Sequence, residues 1–216
     1  MLLRDFDLDL PMQSNEIRNQ FDLNNRCVIA LYRRCLPQLN VERARKVGIQ
    51  CVPIVERHDV MNFGGCFEIQ QQFDLKTYLE AEIAARKRIA LDTLHRGVLT
   101  VAKACGWPTQ PFEIAYKGVI DHNFVNEWTW PKSPKSSPDR KHKAYIQCLH
   151  EHDGFYAWLV IADRKGNILA KEFAFKDLPS EFCFMNKLEK LEWPSNERVV
   201  LFDFKGNEVK ALSIPI

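Results

Sequence analysis

Between Asp74 and Gly106, apolar residues recur at Leu75, Leu79, Ile83, Ala90, Leu94, Val98, Val101 and Cys105. Steps of three, four and seven keep these positions on one side of an α-helix, so the stretch predicts a long amphipathic helix with one stripe against a core. Asp74 is a suitable N-cap, Gly106 a suitable stop, and Pro108 forbids continuation. Glu80, Arg86, Lys87, Asp92, Arg96 and Lys103 fill the opposite side. A stripe this continuous, capped at both ends, marks a core element, and the flanking segments must supply the surface on which it packs.

Those segments read mainly as strands. Phe6, Leu8 and Leu10 alternate with Asp5, Asp7 and Asp9, a half-buried strand closed by Pro11. Cys27 to Leu31 is an unbroken apolar run, read as a more central strand or a short helix. Val47, Ile49, Cys51 and Val55 keep even spacing, with Pro53 pushing this strand towards an edge. Gly64-Gly65 turns into a strand in which Phe67, Ile69 and Phe73 oppose Glu68, Gln70 and Gln72, a one-sided pattern typical of antiparallel sheet.

After the long helix, residues 111–127 fit either period, and Pro111 favours a helix start. Trp130 to Lys143 is a loop rich in proline and serine. Asp153-Gly154 predicts a tight hairpin between strands near 144–151 and 155–162. Arg164-Lys165-Gly166-Asn167 turns into a strand over 168–175, and Lys205-Gly206-Asn207 joins 198–204 to 208–214. No internal repeat stands out. The expected class is α+β: antiparallel sheet packed on one long central amphipathic helix, with a C-terminal β-meander. The expected organisation is a single domain over 1–216 with an exposed Pro/Ser/Lys loop near 131–143, a two-lobe split at that loop being the alternative.

Composition narrows the function. Thirty basic against 28 acidic residues give a net charge of +2, which argues against a dedicated nucleic-acid binder without excluding a local basic patch. Met1-Leu2-Leu3-Arg4-Asp5 lacks the basic start and apolar run of a signal peptide, and no run approaches a membrane span. Seven scattered cysteines with no Cys-x-x-Cys pair suit reduced thiols in the cytoplasm.

No motif points to a catalytic residue or a cofactor. There is no Gly-x-Ser-x-Gly elbow, no His-Glu-x-x-His and no phosphate-binding glycine loop. Asp5, Asp7 and Asp9 share one strand face, but spacings of about 7 Å are wide for gripping one ion. Cys148, His150 and His152 alternate before the Asp153-Gly154 turn and are weak candidates for zinc, with a fourth ligand missing. Trp128 and Trp130 precede Lys132, Lys135, Arg140 and Lys141, placing aromatic and cationic groups side by side on the loop. Such groups anchor protein interfaces and also stack on bases beside neutralised phosphates.

The expectation is therefore a non-enzymatic intracellular protein that binds a protein partner through Trp128, Trp130, Lys132, Lys135, Arg140 and Lys141, in the manner of an immunity-type inhibitor. The alternatives are a nucleic-acid-associated protein using the same loop, and a metal-dependent hydrolase with dispersed site residues. No membrane partner is expected.

Overall fold

The computed structural model describes residues 3, 5–41 and 44–214. Met1, Leu2 and Arg4 of the N-terminal reading lie outside the described residues. The chain divides into two compact units, Met1–Asn126 and Glu127–Ile216, each with its own hydrophobic core.

Unit 1 runs β1 (Asp5–Asp9), α1 (Asn15–Cys35), β2 (Lys46–Val52), β3 (Met61–Phe63), β4 (Cys66–Gln72), α2 (Leu75–Glu80), α3 (Ile83–Ala104) and α4 (Gln110–Asp121). Its sheet has the order β1-β2-β4-β3. β1 and β4 both pair with β2 in parallel, and β3 pairs with β4 in antiparallel. The Gly64-Gly65 turn joins β3 to β4 with φ of 62° and 98°, a left-handed backbone suited to glycine.

The parallel pairing corrects the antiparallel reading of this half. Parallel neighbours need a long crossover, commonly helical; α1 supplies it between β1 and β2, and residues 53–65, which include β3, supply it between β2 and β4. The Cys27–Leu31 run is the second half of that helix and not a strand. Ser14 caps it by accepting from the Ile17 amide, and Phe21, Asn25, Val28, Ile29 and Tyr32 bury one stripe at steps of three and four.

The long helix is confirmed as a core element but is broken. α2 ends at Glu80 and α3 begins at Ile83. Arg86 Nε donates to the Ala81 carbonyl at 2.8 Å, satisfying the junction. Leu79 and Ile83, expected in the stripe, are each 51 % exposed, whereas Tyr78 is buried. Tyr78 packs edge-on to Phe21 and donates to Asn25 Oδ1 at 3.1 Å, and this turns α2 away from the register of α3.

One sheet face buries Phe6, Leu8, Val47, Ile49, Phe67 and Ile69 in the core shared with α1 and α3. Gly97 lets α3 approach closely, since a Cβ there would fall inside the Ile49 side chain. The other face is polar: Asp7 pairs with Lys46 and Asp9 with Arg18, both at 2.9 Å.

Unit 2 contains most of β5 (Asn126–Thr129), then β6 (Lys135–Ser136), β7 (His142–Glu151), β8 (Gly154–Asp163), β9 (Ile168–Asp177), α5 (Glu181–Phe184), a 3-10 turn (Met185–Lys187), β10 (Lys190–Glu192), β11 (Arg198–Phe202) and β12 (Glu208–Ser213). β5-β7-β8-β9 form one sheet with β6 paired to β7, and β10-β11-β12 form the C-terminal antiparallel meander. Both expected hairpins are present.

Two turns of unit 2 share one sequence, Asp-x-Lys-Gly-Asn, at 163–167 and 203–207. In each, the aspartate accepts from the amides of the lysine and the asparagine and from the asparagine side chain. Gly166 and Gly206 take φ of 89° and 82°. This short repeat corrects the reading that the chain has none. These hydrogen bonds hold both aspartates below the usual carboxylate range, the asparagine side chain contributing most.

Candidate functional site

Trp128 and Trp130 pack half-buried against the core of unit 2, Trp128 meeting Phe155 edge-on at 5.9 Å. Lys132, Lys135, Arg140 and Lys141 are exposed, and Lys141 lies 3.6 Å from Asp139. The tryptophans are thus committed inward while the cations face outward.

The Pro/Ser segment is more ordered than its composition predicts. Ser133 Oγ donates to the Trp130 carbonyl at 2.7 Å and accepts from the Ile146 amide at 2.9 Å. The Ser137 amide bonds the His142 carbonyl at 2.9 Å. Both serines are buried, and β6 forms between them.

Cys148 and His150 point into the core, as their alternation requires. His150 Nε2 lies 3.1 Å from the Pro179 carbonyl, with its ring edge-on to Phe155 and Phe184. His152, at the strand end, is half-buried. Among the described residues no three His, Cys, Asp or Glu side chains are grouped to hold a metal ion.

Sequence reasoning missed an apolar patch in the 178–204 region. Phe182 is 84 % exposed, Phe204 58 %, Leu178 55 % and Met185 49 %. Phe182 and Met185 are three residues apart on the short helix and the turn that follows it. The Phe204 amide donates to the Asn186 carbonyl at 3.0 Å, and Asn186 Nδ2 donates to the Phe182 carbonyl at 3.2 Å. Lys187 pairs with Asp177, next to Leu178, at 2.8 Å. These bonds bring the backbones at Phe182, Asn186 and Phe204 together, and the Asp177–Lys187 pair holds the chain beside Leu178. The segment is fixed from beneath: Phe184 stacks on Phe155 at 3.7 Å with rings 7° apart. Lys205 lies over the Phe204 ring at 5.5 Å and adds charge at the rim. The only sequence signal was a Phe-x-Phe pair, Phe182 and Phe184, whose spacing does not say which ring faces water.

The outward face of β8 and β9 carries a second unpredicted group. Trp158 meets Phe173 edge-on at 5.9 Å and lies nearly parallel to Tyr156 at 6.2 Å. Lys171 and Lys176 sit over Trp158 and Tyr156 at 5.3 and 4.9 Å. Phe173 is 48 % exposed, but Val160 further along the same face is buried.

In unit 1, His95 joins three helices. Its Nε2 lies 3.2 Å from Glu113 and its Nδ1 3.2 Å from the Tyr32 hydroxyl, while its ring stacks on Tyr116 at 4.4 Å. A carboxylate only accepts, so Nε2–H donates to Glu113, and the single Tyr32 hydroxyl proton lies between two acceptors, His95 Nδ1 at 3.2 Å and the Phe112 carbonyl at 3.3 Å. Burial pushes His95 below the usual histidine range, against the opposing pull of Glu113. Burial also pushes the Tyr32 hydroxyl well above its ordinary value. Tyr32 is fully buried, so its proton serves the fold.

Comparison with protein-family models, with curated proteins and with solved structures gives no match. Among the described residues no helix is long and apolar enough to cross a membrane.

Proposed function

We propose that this protein is a non-enzymatic binding module that engages a protein partner through Phe182, Met185, Phe204 and Leu178. The observation behind this reading is the exposure of four large apolar side chains on a backbone fixed by Phe184. Exposed apolar clusters on a rigid base mark interaction sites, and aromatic anchors dominate interface energetics. With Lys205 at the rim, the matching surface is an apolar ridge flanked by carboxylates. An immunity-type inhibitor, which acts by covering its target, is one form of such a module. The seven free thiols suit a reducing compartment.

The test places a photo-crosslinking benzoylphenylalanine at position 182 in the native host. The expected result is one covalent protein adduct, lost when Phe204→Asp is added. Adducts no different from those formed at exposed Lys165 would refute the reading.

A second reading, single-stranded nucleic acid, is favoured by the Trp158, Phe173 and Lys171 group, because aromatic faces beside lysines stack bases and neutralise phosphates. Anisotropy of a labelled oligothymidine should then show binding that weakens steeply with salt and is lost in Phe173→Ala/Lys171→Glu. Salt-independent binding, or none, removes this reading.

A further inference from the structure

The carboxyl ends of β1, β2 and β4 open on a cleft of about 770 Å³ within unit 1. In open sheets with parallel strands, ligands collect in the crevice beyond those ends, and this volume falls in the ordinary range for small-molecule sites. The cleft is mixed in character. Leu10, Met12 and Pro53 give it an apolar wall, while Gln71, Asp74 and Arg96 supply polar groups.

Arg96 sets the chemistry. Elsewhere in unit 1, Arg18 and Arg88 are each held by an aspartate, at 2.9 and 3.0 Å. Arg96 projects from α3 into the cleft with one long hydrogen bond, Nη2 to Thr93 Oγ1 at 3.4 Å. Among the described residues no carboxylate lies within ion-pairing distance of it. A guanidinium presents a planar fork matched to carboxylate and phosphate oxygens, and here the fork is available. Gln71, whose Nε2 lies 3.5 Å from Thr100 Oγ1 one turn along the same helix, stands beside it.

Asp74 limits the charge of the occupant. Its carboxylate is satisfied by the Thr77 amide and hydroxyl at 3.1 and 2.7 Å, and the Thr77 hydroxyl does most to hold it below the usual range. Lys76, also in the lining, offsets the Asp74 charge and leaves Arg96 as the net positive charge, which matches a single anionic group better than a polyanion. Cys51, also in the lining, is buried, and burial keeps its thiol protonated, so the site is suited to reversible binding.

We infer that the cleft binds a small organic molecule with an apolar body and a single carboxylate or phosphate group, held by Arg96 and flanked by Gln71. The test is an NMR titration of the full-length, 15N-labelled protein with benzoate and with phenyl phosphate, using benzyl alcohol as the uncharged control. At least one acid should shift the amides of Gln71, Gln72 and Phe73 with a Kd of about 1 mM, as befits so small a probe. Arg96→Gln should weaken it about tenfold or more, and Arg96→Lys less, since lysine keeps the charge but not the fork. A response to benzoate alone assigns a carboxylate ligand, and a response to phenyl phosphate alone assigns a phosphate. The inference fails if neither acid moves those amides by about 10 mM, tenfold above the expected Kd. It fails equally if Arg96→Gln leaves the Kd unchanged, or if benzyl alcohol binds as tightly as the acids.

Discussion

Unit 1 and unit 2 close their cores by different routes. In unit 1 the neighbours β1 and β2 are separated by the whole of α1, and their parallel register follows from a helix packing back on the sheet. In unit 2 most strand neighbours are joined by short turns, two of them held by hydrogen bonds within the turn itself. Long-range packing organises the first, and local chemistry organises much of the second. The candidate sites follow the same division: a cleft where parallel strands end together, and exposed apolar residues on the 178–189 segment and the 203–207 turn of unit 2.

The largest test of this contrast is Phe184→Ala. It removes the stacked partner of Phe155 from the core of unit 2 and should cost about 3–5 kcal/mol. Hydrogen exchange should show lost protection in β7 and β8 while α3 amides at Leu94 and Val98 keep theirs. Equal loss in both units would mean that they unfold as one, and the contrast would be confined to topology.

Gly97→Ala probes unit 1 where packing is tightest. A methyl group pressed into Ile49 should destabilise by about 1–3 kcal/mol, read from denaturant unfolding. The double variant Gly97→Ala/Ile49→Ala should lose less than the sum of the two single changes, because the clash is shared.

Acid should act on the His95 site of unit 1 and on the two turns of unit 2 in different windows. The His95 pKa is lowered in the fold, so below about 6.5 the unfolded chain takes up a proton that the folded one resists. Stability from this site is present above that pH and declines as pH falls towards the folded value. Asp163 and Asp203 are also lowered, so their contribution holds down to the ordinary aspartate range and disappears only below it. Side-chain NMR titration of His95 and amide exchange at Gly166 and Gly206 would separate the two windows. A His95 pKa at or above the ordinary value would contradict the first.

The smallest expected effect is the most diagnostic of local control. Asp163→Ala and Asp203→Ala should each lower Tm slightly and by the same amount, because the bonds they remove are the same. Unequal losses would show that the surrounding sheet sets the turn's value.

This division also explains what was legible in the sequence. The unit 2 hairpins were readable because Asp153-Gly154, Gly166 and Gly206 state the turn directly. The α3 stripe was readable from its period, but the break before it was not. Leu79 and Ile83 preserve the helical pattern, while Tyr78 is drawn inward by Asn25 and Phe21, residues more than fifty positions earlier. α1 was concealed by its composition: Asn15, Asn19, Asn24 and Asn25 weaken the helical signal, leaving Cys27–Leu31 to resemble a strand. Residue types alone did not say how the Trp128–Lys143 stretch divides, with Trp128 and Trp130 half-buried against the unit 2 core and Lys132, Lys135, Arg140 and Lys141 exposed. Arg96 was visible as a polar-face residue, yet its value depends on where β4 ends, which only the fold fixes.

The Asp-x-Lys-Gly-Asn turn occurs in two different sheets with the same closed set of bonds, all contained in five residues. That makes it a transferable part. The cassette could be exchanged between its two positions, or grafted onto another antiparallel pair of like spacing, carrying its geometry with it. It also offers an address for a reporter: a short epitope placed beside Lys165, away from the Phe204 surface, would follow the sheet that contains β8 and β9 during unfolding.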